Sequence, residues 1–387
     1  MNKCIFKLND ICDISGGYAF KSTIFKDNGI PIIRIGDISD NKINISETTV
    51  YINENIEKYK NFIISKGDIL IALSGATTGK FGIYNYDEPS LLNQRVAKLF
   101  PKKDVLNKYL YHYMNKLQDT IYNKALGCAQ PNISPKEIGE LEIYLPNINE
   151  QKAIVEVLDK AQELIDKRKK QIEALDELVK SKFIEMFGDP VTNPKGWEKK
   201  KLNELGELSR GKSKHRPRNA PELLGGPYPL VQTGDIANAG IYLKEYTQTY
   251  SELGLKQSKM WDKGTLCITI AANIAKTSIL TFDACFPDSV VAFIPNDKTN
   301  NMFIQFWMFF LQKILEDSAP ESAQKNINLK ILSEQNVIVP PIELQNQFAD
   351  FVKQVDKLKF EMEKSLKELE DNFNSLMEKA FNEELLK

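Results

Sequence analysis

Asn149 to Gly188 reads NEQKAIVEVLDKAQELIDKRKKQIEALDELVKSKFIEMFG, and its reading decides the architecture. The apolar residues fall on two rows at seven-residue spacing. One row is Leu158, Ile165, Ile172, Val179 and Met186; the other is Ile154, Ala161, Arg168, Leu175 and Lys182. A heptad held this long marks a narrow coiled-coil seam rather than a helix lying on a broad core. No proline falls between Pro146 and Pro190, and Gly188 followed by Pro190 supplies a stop. A helix with so narrow a stripe needs a partner.

The C-terminal stretch Glu343 to Phe381 supplies one. Phe348, Val355, Met362, Leu369 and Leu376 form one row, and Val352, Lys359, Leu366, Phe373 and Ala380 the other. Each lies 194 residues after a counterpart in the first stretch, as Val352 does after Leu158. The globular regions before each helix also correspond. Gly36-Asp37-Ile38 recurs as Gly234-Asp235-Ile236, Lys66-Gly67 as Lys263-Gly264, and Val96 to Pro101 as Val290 to Pro295. Gln130, Asn132 and Ile133 recur as Gln324, Asn326 and Ile327, and Pro146 as Pro340. The chain is a tandem duplication of head and helix.

The expected class is α+β: two pseudo-repeated mixed α/β heads, joined and separated by two long antiparallel coiled-coil helices. The partition is residues 1–148, 149–188, 189–342 and 343–387. Within the first head, Pro31 to Ile35, Gly67 to Leu73, Phe81 to Tyr84, Arg95 to Phe100 and Leu141 to Leu145 read as strands. Asn107 to Leu126 reads as an aromatic-rich helix. A helix of about 34 residues is roughly 50 Å long. Two related heads on such a spacer match two half-sites on duplex DNA.

The net charge of −1 advertises no global attraction to nucleic acid, so any DNA site must be a local patch. The five cysteines show no CxxC pair and read as reduced thiols of a cytosolic protein. No apolar leader opens the sequence, and its most apolar run, Met302 to Leu311, is too short to span a bilayer. Neither a Walker A loop nor an Asn/Asp-Pro-Pro-Tyr/Phe methyltransferase motif is present, and His112 and His215 are the only histidines.

Several diagnostic stretches occur in order: Ile35-Gly36-Asp37-Ile38, Lys66-Gly67-Asp68-Ile69-Leu70, Gly75-Ala76-Thr77-Thr78-Gly79-Lys80, Asn93-Gln94-Arg95-Val96-Ala97 and Asn149-Glu150-Gln151-Lys152. With the junction Met186-Phe187-Gly188-Asp189-Pro190, this order resembles the specificity subunit of type I restriction-modification systems over nearly the whole chain. The resemblance implies a non-catalytic subunit. Each head would be a target recognition domain reading one half of a bipartite sequence in double-stranded DNA. The helices would set the spacer and dock two adenine-N6 methyltransferase subunits. Two motor-nuclease subunits would join where restriction is present. S-adenosylmethionine, and ATP with Mg, would sit on those partners and not on this chain. The location would be cytoplasmic, with no membrane partner. The rival reading is a coiled-coil adaptor that assembles other proteins and binds no DNA.

The candidate DNA contacts follow from side-chain chemistry. In the loop Ser74 to Lys80, Thr77, Thr78 and Lys80 can donate to phosphates, although a plain hairpin turn would use the same residues. Its counterpart, Ala271 to Lys276, offers Asn273 and Lys276. The run Arg210-Gly-Lys-Ser-Lys-His-Arg-Pro-Arg218 carries Arg210, Lys212, Lys214, Arg216 and Arg218. The matching stretch ending at Lys21 is far less basic. Gln130, Asn132 and Gln324, with Lys325, precede the last strand of each head, and Gln or Asn can pair bidentately with adenine. Arg34 and Gln232 hold matched positions before Gly-Asp, and Arg95 lies at a strand start. Tyr109, Tyr111, Tyr113, Phe306 and Trp307 read as core.

Overall fold

The computed structural model describes residues 5–126, 131–271, 274–318, 327–382 and Leu385, without side chains for 313–318. The stretch that opened the sequence reading forms one central helix, Ile148–Phe187. Its counterpart forms a terminal helix, Ile342–Phe381. The central helix is capped by Asn147, whose side-chain oxygen accepts the amides of Asn149 and Glu150 at 3.0 and 3.1 Å. It stops at Gly188, where φ is +78° and the amide donates to the Ile184 carbonyl at 2.8 Å. Among the described residues no helix is long and apolar enough to cross a membrane.

The chain folds as two compact units. One comprises 1–169 and 364–387, and the other comprises 170–363. Each therefore owns a part of both long helices.

In the first unit a six-stranded sheet runs in the order Cys12–Gly16, Val96–Pro101, Ile69–Ala72, Phe81–Ile83, Lys42–Ile43, Ile38–Ser39. A four-stranded sheet orders Val50–Ile52, Ile30–Ile33, Ser90–Leu92 and Ile63–Ile64. Ile69–Ala72 is buried at every position, as an unbroken apolar run requires. Its hairpin to Phe81–Ile83 turns through Gly79 at φ +83°, where a Cβ would come within 3.2 Å of the Gln118 carbonyl. The helix Asn107–Ala125 buries Tyr109, Tyr113, Leu117 and Ile121 along one face. That face meets the last turns of the terminal helix, with Tyr113 and Phe381 at 4.6 Å between ring centroids.

The expected strand Pro31 to Ile35 is shorter: it spans Ile30–Ile33, and Ile35–Asp37 is a 3-10 turn. The cause is Asp37, whose carboxylate captures the Arg34 amide at 2.7 Å and winds the chain.

The second unit repeats the plan. A five-stranded sheet orders Gly206–Arg210, Val290–Pro295, Leu266–Thr269, Thr277–Leu280 and Tyr242–Leu243. A four-stranded sheet contains Gln248–Tyr250, Leu224–Leu230, Ala284–Cys285 and Met260–Trp261. The helix Asn301–Ser318 buries Phe303, Phe306 and Trp307. Phe183 and Phe187 of the central helix pack against Phe303 and Phe348 in one aromatic cluster.

The long helices pair antiparallel within each unit. In the second, Phe183 meets Phe348 while Asp176 meets Lys359 at 2.7 Å, so numbers rise on one helix as they fall on the other. In the first, Lys169 pairs with Glu370 at 2.9 Å, and Ile154 and Leu158 share a core with Ala380 and Phe381. Leu158, Ile165, Leu175, Val179, Val352, Val355 and Phe373 are buried in the seam. Ile172, Met362, Leu366 and Leu369 are half-buried.

Candidate nucleic-acid interface

At one end of the first head four loops converge. Gly75 donates its amide to the Pro131 carbonyl at 2.9 Å, which fixes the Ser74–Lys80 turn beside Asn132. Ile35 lies against the same turn, 3.7 Å from where a Gly75 Cβ would stand. Leu73 donates to the Arg95 carbonyl at 2.9 Å, which adds the fourth loop. Arg34, Gly36, Thr48, Asn93 and Arg95 line a concavity of about 400 Å³ there.

Arg34 is half-buried. Its Nη2 donates to the Thr48 carbonyl at 2.7 Å, and its buried Nε has no partner among the described residues. Asp37 is buried and accepts the Thr49 hydroxyl at 2.9 Å. Burial pushes its carboxyl up, with the Arg34 amide and Thr49 hydroxyl pulling it back. Lys21, Lys80, Asn132 and Arg95 are exposed, and Thr77 is half-buried. Thr78 is a correction. It is 3 % exposed, and its hydroxyl donates to the Gly75 and Pro131 carbonyls at 2.7 and 3.2 Å, so it holds the turn and has no donor left for a phosphate.

The second head presents a different surface on the same frame. Gln232 stands where Arg34 does, its amide held by Asp235 at 2.7 Å, and Thr247 donates to Asp235 at 3.0 Å. The Gln232 side chain donates to Gln248 at 3.1 Å. The basic run is tightly anchored. Gly211 crosses the backbone of Phe286 and Pro287 so closely that a Cβ would sit 2.3 Å from both carbonyl oxygens. Ser258 donates to the Lys212 carbonyl at 2.8 Å, and the Lys214 and His215 amides donate to Gln257.

The five cations of that run are not equivalent. Arg210 donates through Nε and Nη2 to the Asp288 carbonyl at 2.9 and 2.6 Å. Arg216 uses Nη1 on the Ser213 and His215 carbonyls at 2.6 and 2.8 Å. Arg216, expected as one of five DNA contacts in this run, is thus partly a brace of its own loop. Arg218 pairs with Asp288 at 2.6 Å. Lys212 and Lys214 are exposed, with no acidic partner among the described residues. Lys276 is half-buried, and its amide donates to the Thr269 hydroxyl at 3.0 Å. Gln130, Asn273, Gln324 and Lys325 lie outside the described residues.

Asn93 and Asp288 escaped the sequence reading as contacts. Asn93 sits in a quoted motif beside Arg95. Asp288 lies 70 residues or more from the arginines it serves, where no local pattern reveals it. The only available signal was its place in the second copy, 194 residues after Gln94.

The family described as the type I restriction modification DNA specificity domain matches residues 2–176 and again residues 194–371. The chain belongs to that family. Two successive matches agree with the two heads, and they make it a non-catalytic DNA-recognition and scaffold subunit of a type I restriction-modification enzyme. The EcoBI specificity subunit of Escherichia coli is 24% identical over 98% of this chain and 85% of its own length. A putative type I specificity subunit, MjaX, of Methanocaldococcus jannaschii is 28% identical over 85% and 81%. Among solved structures, the S subunit of a type I system from M. genitalium superposes with a TM-score of 0.54 at 17% identity, covering 97% of this chain and 95% of that one. A second chain, from a study of type I system assembly and conformational transition, reaches 0.59 at 16% identity, covering 97% of each. At such identities the structures support the fold of a specificity subunit and nothing finer. A DNA-free adaptor is not favoured by these matches.

Proposed function

We propose that each head of this specificity subunit reads one half of a bipartite DNA target. Residues 1–148 and 189–342 serve as the recognition domains, and 149–188 and 343–387 as the spacer that sets the distance between half-sites and docks two adenine-N6 methyltransferase subunits. S-adenosylmethionine belongs to those partners, as do ATP and Mg on two motor-nuclease subunits where restriction is present. The assembly works in the cytoplasm.

The observation that carries this reading is the repetition of one frame with unlike surfaces. Asp37 and Asp235 hold corresponding turns through the same carboxylate-to-amide bond, yet the first presents Arg34 and the second Gln232. A duplicated frame with diverged donors suits two different sequences read by the same geometry. Methylome sequencing of cells with and without the chain tests it. Loss of one bipartite N6-methyladenine motif is expected; an unchanged methylome in cells carrying the methyltransferase overturns it.

A further inference from the structure

Three guanidinium groups converge on Asp288. Arg210 grips its carbonyl oxygen, Arg218 lies 2.6 Å from Oδ1, and Arg216 Nη2 lies 3.8 Å from Oδ2. Asp288 is itself 32% exposed at its side chain, in the turn that leads into Val290–Pro295. That turn is closed by the Val290 amide on the Pro287 carbonyl at 3.0 Å, and Gly211 is pressed against its backbone. An acid at the centre of a basic loop weakens attraction to phosphate, so charge alone does not account for it. What it supplies is orientation: an arginine held by a carboxylate keeps one direction, whereas a free one samples many rotamers.

The three arginines differ in what they have left to give. Arg216 is already on two loop carbonyls, and Arg210 has two of its three nitrogens on Asp288. Arg218 makes no hydrogen bond to the described residues: its Nη2 lies 2.6 Å from Asp288 Oδ1 as an ion pair, and its side chain is 45% exposed. Its guanidinium is a planar fork drawn to one place by the carboxylate, with N–H groups still to give. A fixed fork is the geometry that meets the O6 and N7 acceptors of guanine in the major groove.

We infer that Asp288 is a positioning residue for base recognition, aiming Arg218 at a guanine in the half-site read by the second head, while Lys212 and Lys214 supply the sequence-independent grip. This rests on the bipartite-reading proposal above. It separates discrimination from affinity within one loop.

The test uses the assembled methyltransferase on a duplex library randomised across both half-sites, reading methylation base by base. Asp288→Asn keeps shape and removes the charge. It is expected to lower guanine discrimination about tenfold at one position of one half-site, within the range of a bidentate arginine contact, and to leave the other half-site unchanged. Arg218→Lys keeps the charge and loses the fork, and it should relax the same position. It also decides the matter if Asp288→Asn fails to assemble. A uniform loss of methylation with every base preference retained overturns the positioning role, as does relaxation at different positions by the two variants. If the unaltered enzyme shows no bipartite preference, the failure lies instead in the reading on which this one rests.

Discussion

The side-chain amide of Gln151 donates to the Pro146 carbonyl at 2.9 Å. Its oxygen accepts the Leu106 amide at 2.8 Å, and its nitrogen also reaches the Asp104 carbonyl at 3.1 Å. Gln345 makes the same set 194 residues later, to Pro340 at 2.8 Å, Lys298 at 3.1 Å and the Asn300 amide at 3.3 Å. Each buried glutamine welds the first turn of a long helix to the loop that opens the head's own helix.

Removing either amide leaves three backbone groups without that partner, one of them on a buried proline. Gln151→Leu should cost about 2–4 kcal/mol, since an unsatisfied buried polar group costs ~1–3 kcal/mol and the loop relaxes in part. Gln345→Leu should do the same to the second unit. Urea unfolding followed by hydrogen exchange shows which unit each variant weakens. Equal loss in both units from a single substitution would contradict a local weld.

His112 gives the first unit a pH dependence. Its Nε2 lies 2.8 Å from Asp159, and its buried Nδ1 has no partner among the described residues. Burial holds the imidazole below its ordinary pKa, against the pull of Asp159 and with help from Lys108. The folded state therefore resists a proton that the unfolded chain accepts. Stability is full above the unfolded value of about 6.5 and falls as pH drops from there through the folded pKa. His112→Phe, which installs the residue found at the equivalent Phe306, should flatten that slope in melts from pH 7.5 to 5. A slope unchanged by the substitution would assign it elsewhere.

Lys212→Ala with Lys214→Ala should weaken binding of the assembled complex to all duplexes alike. The slope of log affinity against log salt should fall by about two, one per phosphate contact. A changed base preference at constant affinity would show that these lysines read sequence.

Gly36 and Gly234 are exposed, neither has a left-handed φ, and a Cβ on either would meet nothing within 4 Å among the described residues. The fold makes no demand for glycine there. Gly36→Ala should leave the melting temperature unchanged or slightly raised. Under the proposed reading it weakens DNA binding several-fold, because backbone approach to a ligand is glycine's remaining use. Unaltered DNA binding would remove this turn from the interface.

The helices were legible in the sequence because a heptad is a local repeat: Leu158, Ile165, Val352 and Phe373 are buried where the rows place them. The duplication was legible because Pro146, Gly36 and Val96 keep their spacing. The bonding that turns those anchors into a site was not. Thr49 reaches Asp37 across 12 residues and Arg210 reaches Asp288 across 78. Such pairings depend on how strands stack, and no periodicity in the chain encodes that. Thr78 illustrates the limit: a hydroxyl in a polar loop reads as a donor to ligand until the Pro131 carbonyl is seen beside it.

The first unit is discontinuous in the chain, with Phe373, Ala380 and Phe381 completing a core begun by Leu8 and Ile11. The second is continuous from 170 to 363. A ribosome adding roughly 5–20 residues per second takes about 10–40 s to cover the intervening segment. During that interval the second unit can close while the first waits with Tyr109 and Tyr113 lacking their partner Phe381. The order of synthesis therefore runs opposite to the order of completion. A nascent chain stalled before Phe373 would expose an aromatic face on its earlier-made unit, which makes Ile342–Phe381 the helix that rescues a unit begun long before it.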